Sequence, residues 1–157
     1  MIRRATADDF AFIHSIAERV ENAAFIVDDP DAEMEGNIAA PDMDLVIWEH
    51  GGTPAGFALF CEIGNPSGRV ELRRLGLDIT DAGLGQPFLR ALIDHDFDAL
   101  NANRIWLDVV RDNPRAQATY QRAGFTHEGT LRQNWRRPTG DVVDMLVFGM
   151  LKGERPQ

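Results

Sequence analysis

Apolar residues along this chain switch repeatedly between the spacing of strands and the spacing of helices. Ile2 to Ala5 reads as a short strand. Thr6 followed by Asp8 and Asp9 opens a helix expected to run through about Val20, with Phe12, Ile16 and Val20 on one face. Asp28-Asp29-Pro30-Asp31 is a break, and Ala32 to Ala39 is a short second helix ended before Pro41. Leu45 to Glu49 and Ala55 to Glu62 are apolar runs divided by His50-Gly51-Gly52-Thr53-Pro54, the signal of an antiparallel hairpin. A second turn, Gly64-Asn65-Pro66-Ser67-Gly68, leads into Val70 to Leu77 and completes a three-stranded meander. After a turn through Gly83-Leu84-Gly85 comes a helix from about Gln86 to Leu100. Pro87 lies in its first turn, and Leu89, Ile93, Phe97 and Leu100 form a core-facing stripe. Arg104 to Val110, Gly124 to Thr130 and Val142 to Leu151 supply the last strands. The order β-α-α-β-β-β-α-β-α-β-β predicts an α/β (α+β) fold, a mixed sheet with helices on both faces, in one domain spanning residues 1–157.

One helix has both ends written into the sequence. Asn113 can cap the free N–H groups of its first turn, Pro114 suits the first helical position, and Gly124 can take the left-handed conformation that closes the last turn. Between them Ala116, Tyr120 and Ala123 share a face, and Phe125 restarts an apolar strand pattern immediately afterwards.

With Glu128-Gly129 and Arg132 downstream, this N-P-x-A-x-x-x-Y-x-x-x-G-F arrangement resembles the C-terminal motif of the GNAT (GCN5-related) N-acetyltransferase superfamily. Glu71-Leu72-Arg73-Arg74, the Gly83-Leu84-Gly85 turn, the amphipathic helix and the Trp106-Leu107-Asp108-Val109 strand follow in the order that family uses. The L-R-R segment and the Y-x-x-x-G-F-x-x-E-G ending are similar to the bacterial branch of ribosomal-protein N-terminal acetyltransferases. The resemblance implies a mixed, mostly antiparallel central sheet. It also implies transfer of acetyl from acetyl-CoA to a primary amine, either a peptide N-terminus or a small-molecule amine, by direct attack on the thioester. Dimerisation is a family-level expectation.

Composition narrows the partners. No run approaches eighteen apolar residues, and Met1-Ile2-Arg3-Arg4 leads into acidic residues, so we expect a cytoplasmic protein without a membrane segment. Cys61 is the only cysteine, which excludes an internal disulfide and any multi-thiolate site; His14, His50, His95 and His127 lack ligand spacing, so no metal is expected. A formal charge of -9 argues against nucleic acid. It suits a cationic acceptor, and it also serves solubility, the commoner use of an acidic surface.

The glycine turn offers main-chain N–H groups at the positive end of a helix dipole, which suits the diphosphate of acetyl-CoA. The expected contacts are Ala82, Gly83, Leu84, Gly85 and Gln86, with Asn113, Ala116 and Tyr120 on the opposite wall. This loop departs from the family's usual Q/R-x-x-G-x-G/A. It reads Thr80-Asp81-Ala82-Gly83-Leu84-Gly85, so two positions that often carry Gln or Arg do not, and Asp81 brings negative charge toward an anion. Binding then requires Asp81 to point away, with Arg73, Arg74, Arg111 or Arg115 restoring positive potential. A non-catalytic acyl-CoA-binding module is the competing expectation.

The resemblance also distributes catalytic roles. Main-chain N–H groups around Leu75, Gly76 and Leu77 would face the acetyl oxygen, with Gly76 either permitting a bulge or fitting a close neighbour. Tyr120 would place its hydroxyl near the CoA sulfur. Glu71 is the candidate base, although strand alternation could equally point it to solvent. Glu62, Asp108 and Asp144 are further carboxylates with weaker claims. Arg132, Trp135, Arg136 and Arg137 are expected between the final strands, beside the acceptor cleft. Residues 18 to 40, with Glu18, Glu21, Asp28, Asp29 and Asp31, would form its other wall.

Overall fold

A computed structural model describes all 157 residues. Seven strands form one sheet in the order β1-β2-β3-β4-β5-β7-β6. They are β1 (Ile2–Arg4), β2 (Asp44–His50), β3 (Thr53–Cys61), β4 (Arg69–Leu77), β5 (Arg104–Val110), β6 (Thr126–Arg136) and β7 (Val142–Leu151). Every neighbouring pair is antiparallel except β4 with β5. Helices α1 (Phe10–Ala17) and α2 (Asp31–Ala39) cover one face, and α3 (Gly85–Asp94) and α4 (Pro114–Arg122) the other. The predicted element order and the mixed, mostly antiparallel sheet are both present.

Alternation along the strands divides the core in two. Leu45 and Ile47 join Phe10, Ile13, Ile16 and Met34 beneath α1 and α2, while Val46 and Trp48 join Phe88, Leu92, Phe97 and Tyr120 beneath α3 and α4. Leu45 to Trp48 are therefore all buried, which explains why β2 reads as a continuous apolar run.

Three expected boundaries move. The first helix stops at Ala17, after a single 3-10 turn over Ala7–Asp9, and Val20 is 91% exposed instead of lying on the buried stripe. Beyond Ala17 the Asn22 side chain donates to the Ile16 carbonyl at 2.8 Å and Arg19 is drawn to Asp78, so side chains replace further helical turns. The helix expected to reach Leu100 is α-helical only to Asp94, and His95–Ala99 form a wider π-helical turn. That turn keeps Phe97 in the core and buries Asp96 completely, with neither carboxylate oxygen bonded; burial pushes its pKa up to about 8. Finally, β6 extends to Arg136, so Arg132, Trp135 and Arg136 lie in a strand, and only Arg137 of that group belongs to the turn. As an edge strand β6 is mostly solvated, and its polar residues hide a pairing that the β7 backbone nonetheless sustains.

Candidate active site

The sheet opens in its middle. β4 and β5 pair only at Arg69–Arg104, Val70–Ile105 and Glu71–Trp106, although β4 continues to Leu77 and β5 to Val110. Two neighbours pull the strands apart. β5 is held along its other edge by seven consecutive pairs with β7. β4 carries a bulge against β3: Leu72 faces Phe60, Arg74 faces Leu59, and Arg73 between them has no partner. An extra residue of this kind bends and twists its strand. The result is a wedge in which the β4 main chain beyond Glu71 offers unpaired groups to an extended ligand.

Leu75, Gly76 and Leu77 all lie on this free segment, paired on their other side with Ala58, Phe57 and Gly56. Of the two readings of Gly76, close packing is what the structure contains. A Cβ there would lie 2.7 Å from Phe57 Cε1 and 2.9 Å from Ile16 Cγ2, whereas the bulge sits at Arg73.

The glycine turn lies at the wide end of the wedge. Gly83 has φ of +73°, a left-handed conformation that glycine adopts without strain, and it turns the chain into α3. Gly85 and Gln86 begin that helix, so their N–H groups lack intrahelical partners. Ala82 is exposed and Leu84 half-buried against the core. The Gln86 side chain bonds to the Thr119 carbonyl at 3.0 Å, tying the start of α3 to α4. Asp81 is drawn aside: its carboxylate pairs at 2.8 Å with Arg115 of α4, and the same guanidinium nitrogen donates to the Thr80 carbonyl at 2.9 Å.

The opposite wall is α4. Asn113 Oδ1 accepts from the Ala116 N–H at 3.3 Å, Pro114 occupies the first turn, and Gly124 closes the end with φ of +102°. Ala116 packs half-buried against the core, and the Tyr120 ring sits between Phe125 and Phe148, with centroids 6.1 and 6.0 Å away. The Tyr120 hydroxyl bonds to no protein group, yet it is not among the sealed unsatisfied polar atoms. It therefore keeps some accessible surface. Burial raises the Tyr120 pKa above the usual phenol value, and the negative charge of Asp108 raises it further.

Glu71 and Asp108 meet on the other face of the wedge with Arg73 and Arg74. Glu71 is only 13% exposed and accepts from Arg73 Nε and Nη2 at 3.0 and 2.7 Å. Asp108 has no ion-pair partner. Burial raises its pKa, with Glu71 adding to the effect and the two arginines opposing it. Glu62 is taken up by Arg69 at 2.9 Å and by the Trp106 indole N–H at 3.3 Å, and Asp144 by the Gln133 N–H at 2.8 Å. The Asp108 environment was not readable from sequence, because it is created by a strand that leaves its neighbour.

The chain between α1 and α2 is pinned by ion pairs. His14 bridges Asp28 and Asp31 at 2.6 and 2.7 Å, Asp29 pairs with Arg74 at 3.4 Å, and Arg19 pairs with Asp78 at the root of the glycine turn. Glu18 and Glu21 belong to this segment and are solvent-exposed. No group of three or more His, Cys, Asp or Glu side chains is arranged to hold a metal, and no helix is long and apolar enough to cross a membrane.

A half-open parallel seam, a glycine turn feeding a helix N-terminus and a buried phenol on α4 are together compatible with an acyl-CoA-dependent transferase. Residues 10–125 match the model of the Acetyltransferase (GNAT) family, and the chain belongs to that family. It is thus an N-acetyltransferase with acetyl-CoA as co-substrate and an amine as acceptor. It is similar to the N-alpha-acetyltransferase RimI of Mycobacterium tuberculosis, 30% identical over 131 residues, or 80% of each chain. Spermine/spermidine N(1)-acetyltransferase of Bacillus subtilis is 36% identical over 90 residues, covering 53% of this chain and 59% of that one. Among solved structures, spermidine N-acetyltransferase of Vibrio cholerae in complex with CoA and spermine shares the fold, with a TM-score of 0.82 and 20% identity over 98% of this chain and 96% of that one.

Proposed function

We propose that this enzyme acetylates a peptide α-amine, with Asp108 as general base and Tyr120 as hydrogen-bond donor to the departing CoA sulfur. The observation that carries the assignment is Asp108 itself, a desolvated carboxylate with no ion-pair partner, close enough to Tyr120 for its charge to bear on the phenol. Glu71 faces the same cleft but is engaged by Arg73, which makes it an orienting charge in preference to a proton acceptor. The amine must lose a proton as its nitrogen bonds to the acetyl carbon, and the carbon–sulfur bond then breaks with the electron pair leaving on sulfur. Free main-chain N–H groups on β4 beyond Glu71 are available to the acetyl oxygen as it gains charge.

The acceptor class follows from proton affinity. A carboxylate is a weak base, so it serves best an amine that is already partly neutral. An α-amine near pKa 8 is about one tenth neutral at pH 7, whereas a lysine-like amine near 10.4 is neutral less than about once in a thousand. The 30% identical relative named as an N-alpha-acetyltransferase agrees. A polyamine is the second reading, favoured by the acidic chain between α1 and α2 and by the Bacillus relative. Thiol release measured across short peptides, spermine and spermidine decides between them. Peptides are expected to give the higher kcat/KM, and a reversed order overturns the α-amine assignment.

A further inference from the structure

The glycine turn raises an electrostatic question that the fold answers in an unexpected place. Asp78-Ile79-Thr80-Asp81-Ala82-Gly83-Leu84-Gly85 holds two acids and no base, yet it must receive a diphosphate. Each acid is paired with an arginine from elsewhere in the chain, Asp78 with Arg19 and Asp81 with Arg115. The pairs differ in kind. Arg19 grips both the carbonyl and the carboxylate of Asp78, in a half-buried setting. Asp81 and Arg115 are 87% and 65% exposed in their side chains, and exposed pairs of this sort contribute little and exchange readily.

The remaining arginines near the wedge are committed away from the turn. Arg73 is bound to Glu71, Arg74 to Asp29 and Arg111 to Asp144. Arg115 alone of the four reaches it, anchored to the Thr80 carbonyl. Its location carries a cost of its own. It occupies the first turn of α4, where the helix dipole disfavours a cation, so the residue gains nothing there from its own helix. The start of α3 packs against the later half of α4: a Cβ on Gly85 would lie 3.6 Å from Thr119 Cγ2. A cation held against the turn that leads into the α3 N-terminus is placed where an anion would sit.

We propose that Arg115 is the phosphate ligand the turn itself lacks, held in place by Asp81 until a phosphate of the co-substrate displaces that carboxylate. The inference rests on the acetyl-CoA-dependent reading and deepens its binding site. Asp81 therefore acts as a stand-in anion that keeps the guanidinium in position, and affinity reflects the exchange of one anion for another.

Calorimetric titration of the full chain with CoA and with dephospho-CoA tests this, using wild type, Arg115→Ala, Arg115→Lys and Asp81→Asn, with thermal melts to confirm that each variant is folded. Arg115→Ala is expected to weaken CoA binding about tenfold or more, as loss of a charge-assisted contact does, and Arg115→Lys to recover part of it. In turnover, the KM for acetyl-CoA should rise while kcat stays within about twofold. Asp81→Asn should tighten binding a few fold, since the competing anion is removed. Equal losses for both ligands assign the contact to the diphosphate, and a loss confined to CoA assigns it to the 3′-phosphate. Wild-type binding that Arg115→Ala leaves unchanged, or that Asp81→Asn weakens, overturns the proposal. Absence of wild-type binding to either ligand overturns the acetyl-CoA reading with it.

Discussion

Replacing Tyr120 by Phe removes one oxygen from a side chain that is otherwise core. Its ring is packed by Phe125 and Phe148, and its hydroxyl has no protein partner to lose, so the fold should be indifferent to the change. The thermal midpoint is expected to stay within about 2 °C of wild type, less than the shift that about 1 kcal/mol would produce in a chain of this size. Turnover should respond differently. An ordinary phenol near pKa 10 giving its proton to a thiolate near 8.5 works uphill by about 2 kcal/mol, and burial of Tyr120 widens that gap. Full proton transfer is therefore the wrong description, and a hydrogen bond that strengthens as charge builds on sulfur is the right one. A bond to a charged group is worth about 1.5 to 3 kcal/mol, so kcat should fall by about tenfold to a hundredfold with the KM for acetyl-CoA little changed. Because the pKa is raised, wild type should show no loss of activity attributable to this phenol below about pH 10. Release of free thiol, followed with a thiol-reactive chromophore at saturating acceptor, measures all of this. A Phe variant with kcat within twofold of wild type would remove the hydroxyl from the chemistry, and one that melts more than about 5 °C lower would show the hydroxyl to be structural; either result refutes the argument.

Other perturbations test separate parts of the structure. Asp108→Asn should lower kcat by about a hundredfold, and wild-type kcat/KM should fall with acid at a pH above the ordinary aspartate range, because the raised pKa means the base form is lost sooner as pH drops; an unaltered profile in the variant removes Asp108 from the chemistry. Asp96 has a folded pKa near 8 against an ordinary 3.8, so its contribution to stability is complete below about pH 4 and is lost as pH rises through 8. At pH 7 the ionisation penalty is about 4 kcal/mol, and burying an unbonded amide costs about 1 to 3, so Asp96→Asn should melt higher at neutral pH. That advantage should vanish by about pH 4, and melting profiles that run parallel from pH 4 to 8 would contradict it. His14 has its pKa raised by Asp31 and Asp28, so the clasp stabilises below about pH 6.5 and is lost as pH rises through the raised value. His14→Gln should cost about 2 to 4 °C at pH 6 and progressively less as pH rises, with a loss that does not change with pH counting against the clasp.

Legibility from sequence followed the range of the forces involved. The α4 helix is bounded as expected because Asn113, Pro114 and Gly124 act on their immediate neighbours. β5 and β7 fall where their apolar runs place them for the same reason. The π-helical turn at His95–Ala99 answers to contacts distant in sequence: Lys152 reaches the Phe97 carbonyl from 55 residues away. The Arg73 bulge depends on how β3 and β4 register, and the pairing of Asp81 with Arg115 spans 34 residues. Asp81 looked hostile to an anion when its neighbours along the chain were the only ones in view, and the helix that answers its charge arrives later. The sequence favours Glu71 over Asp108 as base, whereas in the structure Arg73 occupies Glu71 and leaves Asp108 without an ion-pair partner.

The three-residue seam between β4 and β5 bears on how this protein tolerates change. What the wedge presents along β4 beyond Glu71 is main chain, and every amino acid except proline carries the same N–H. Substitutions can sweep through the surrounding side chains without erasing the receptor, as long as the two strands part after Glu71. A solved relative sharing one residue in five can thus preserve the same architecture. Divergence is then free to accumulate in the side chains and loops that flank the seam.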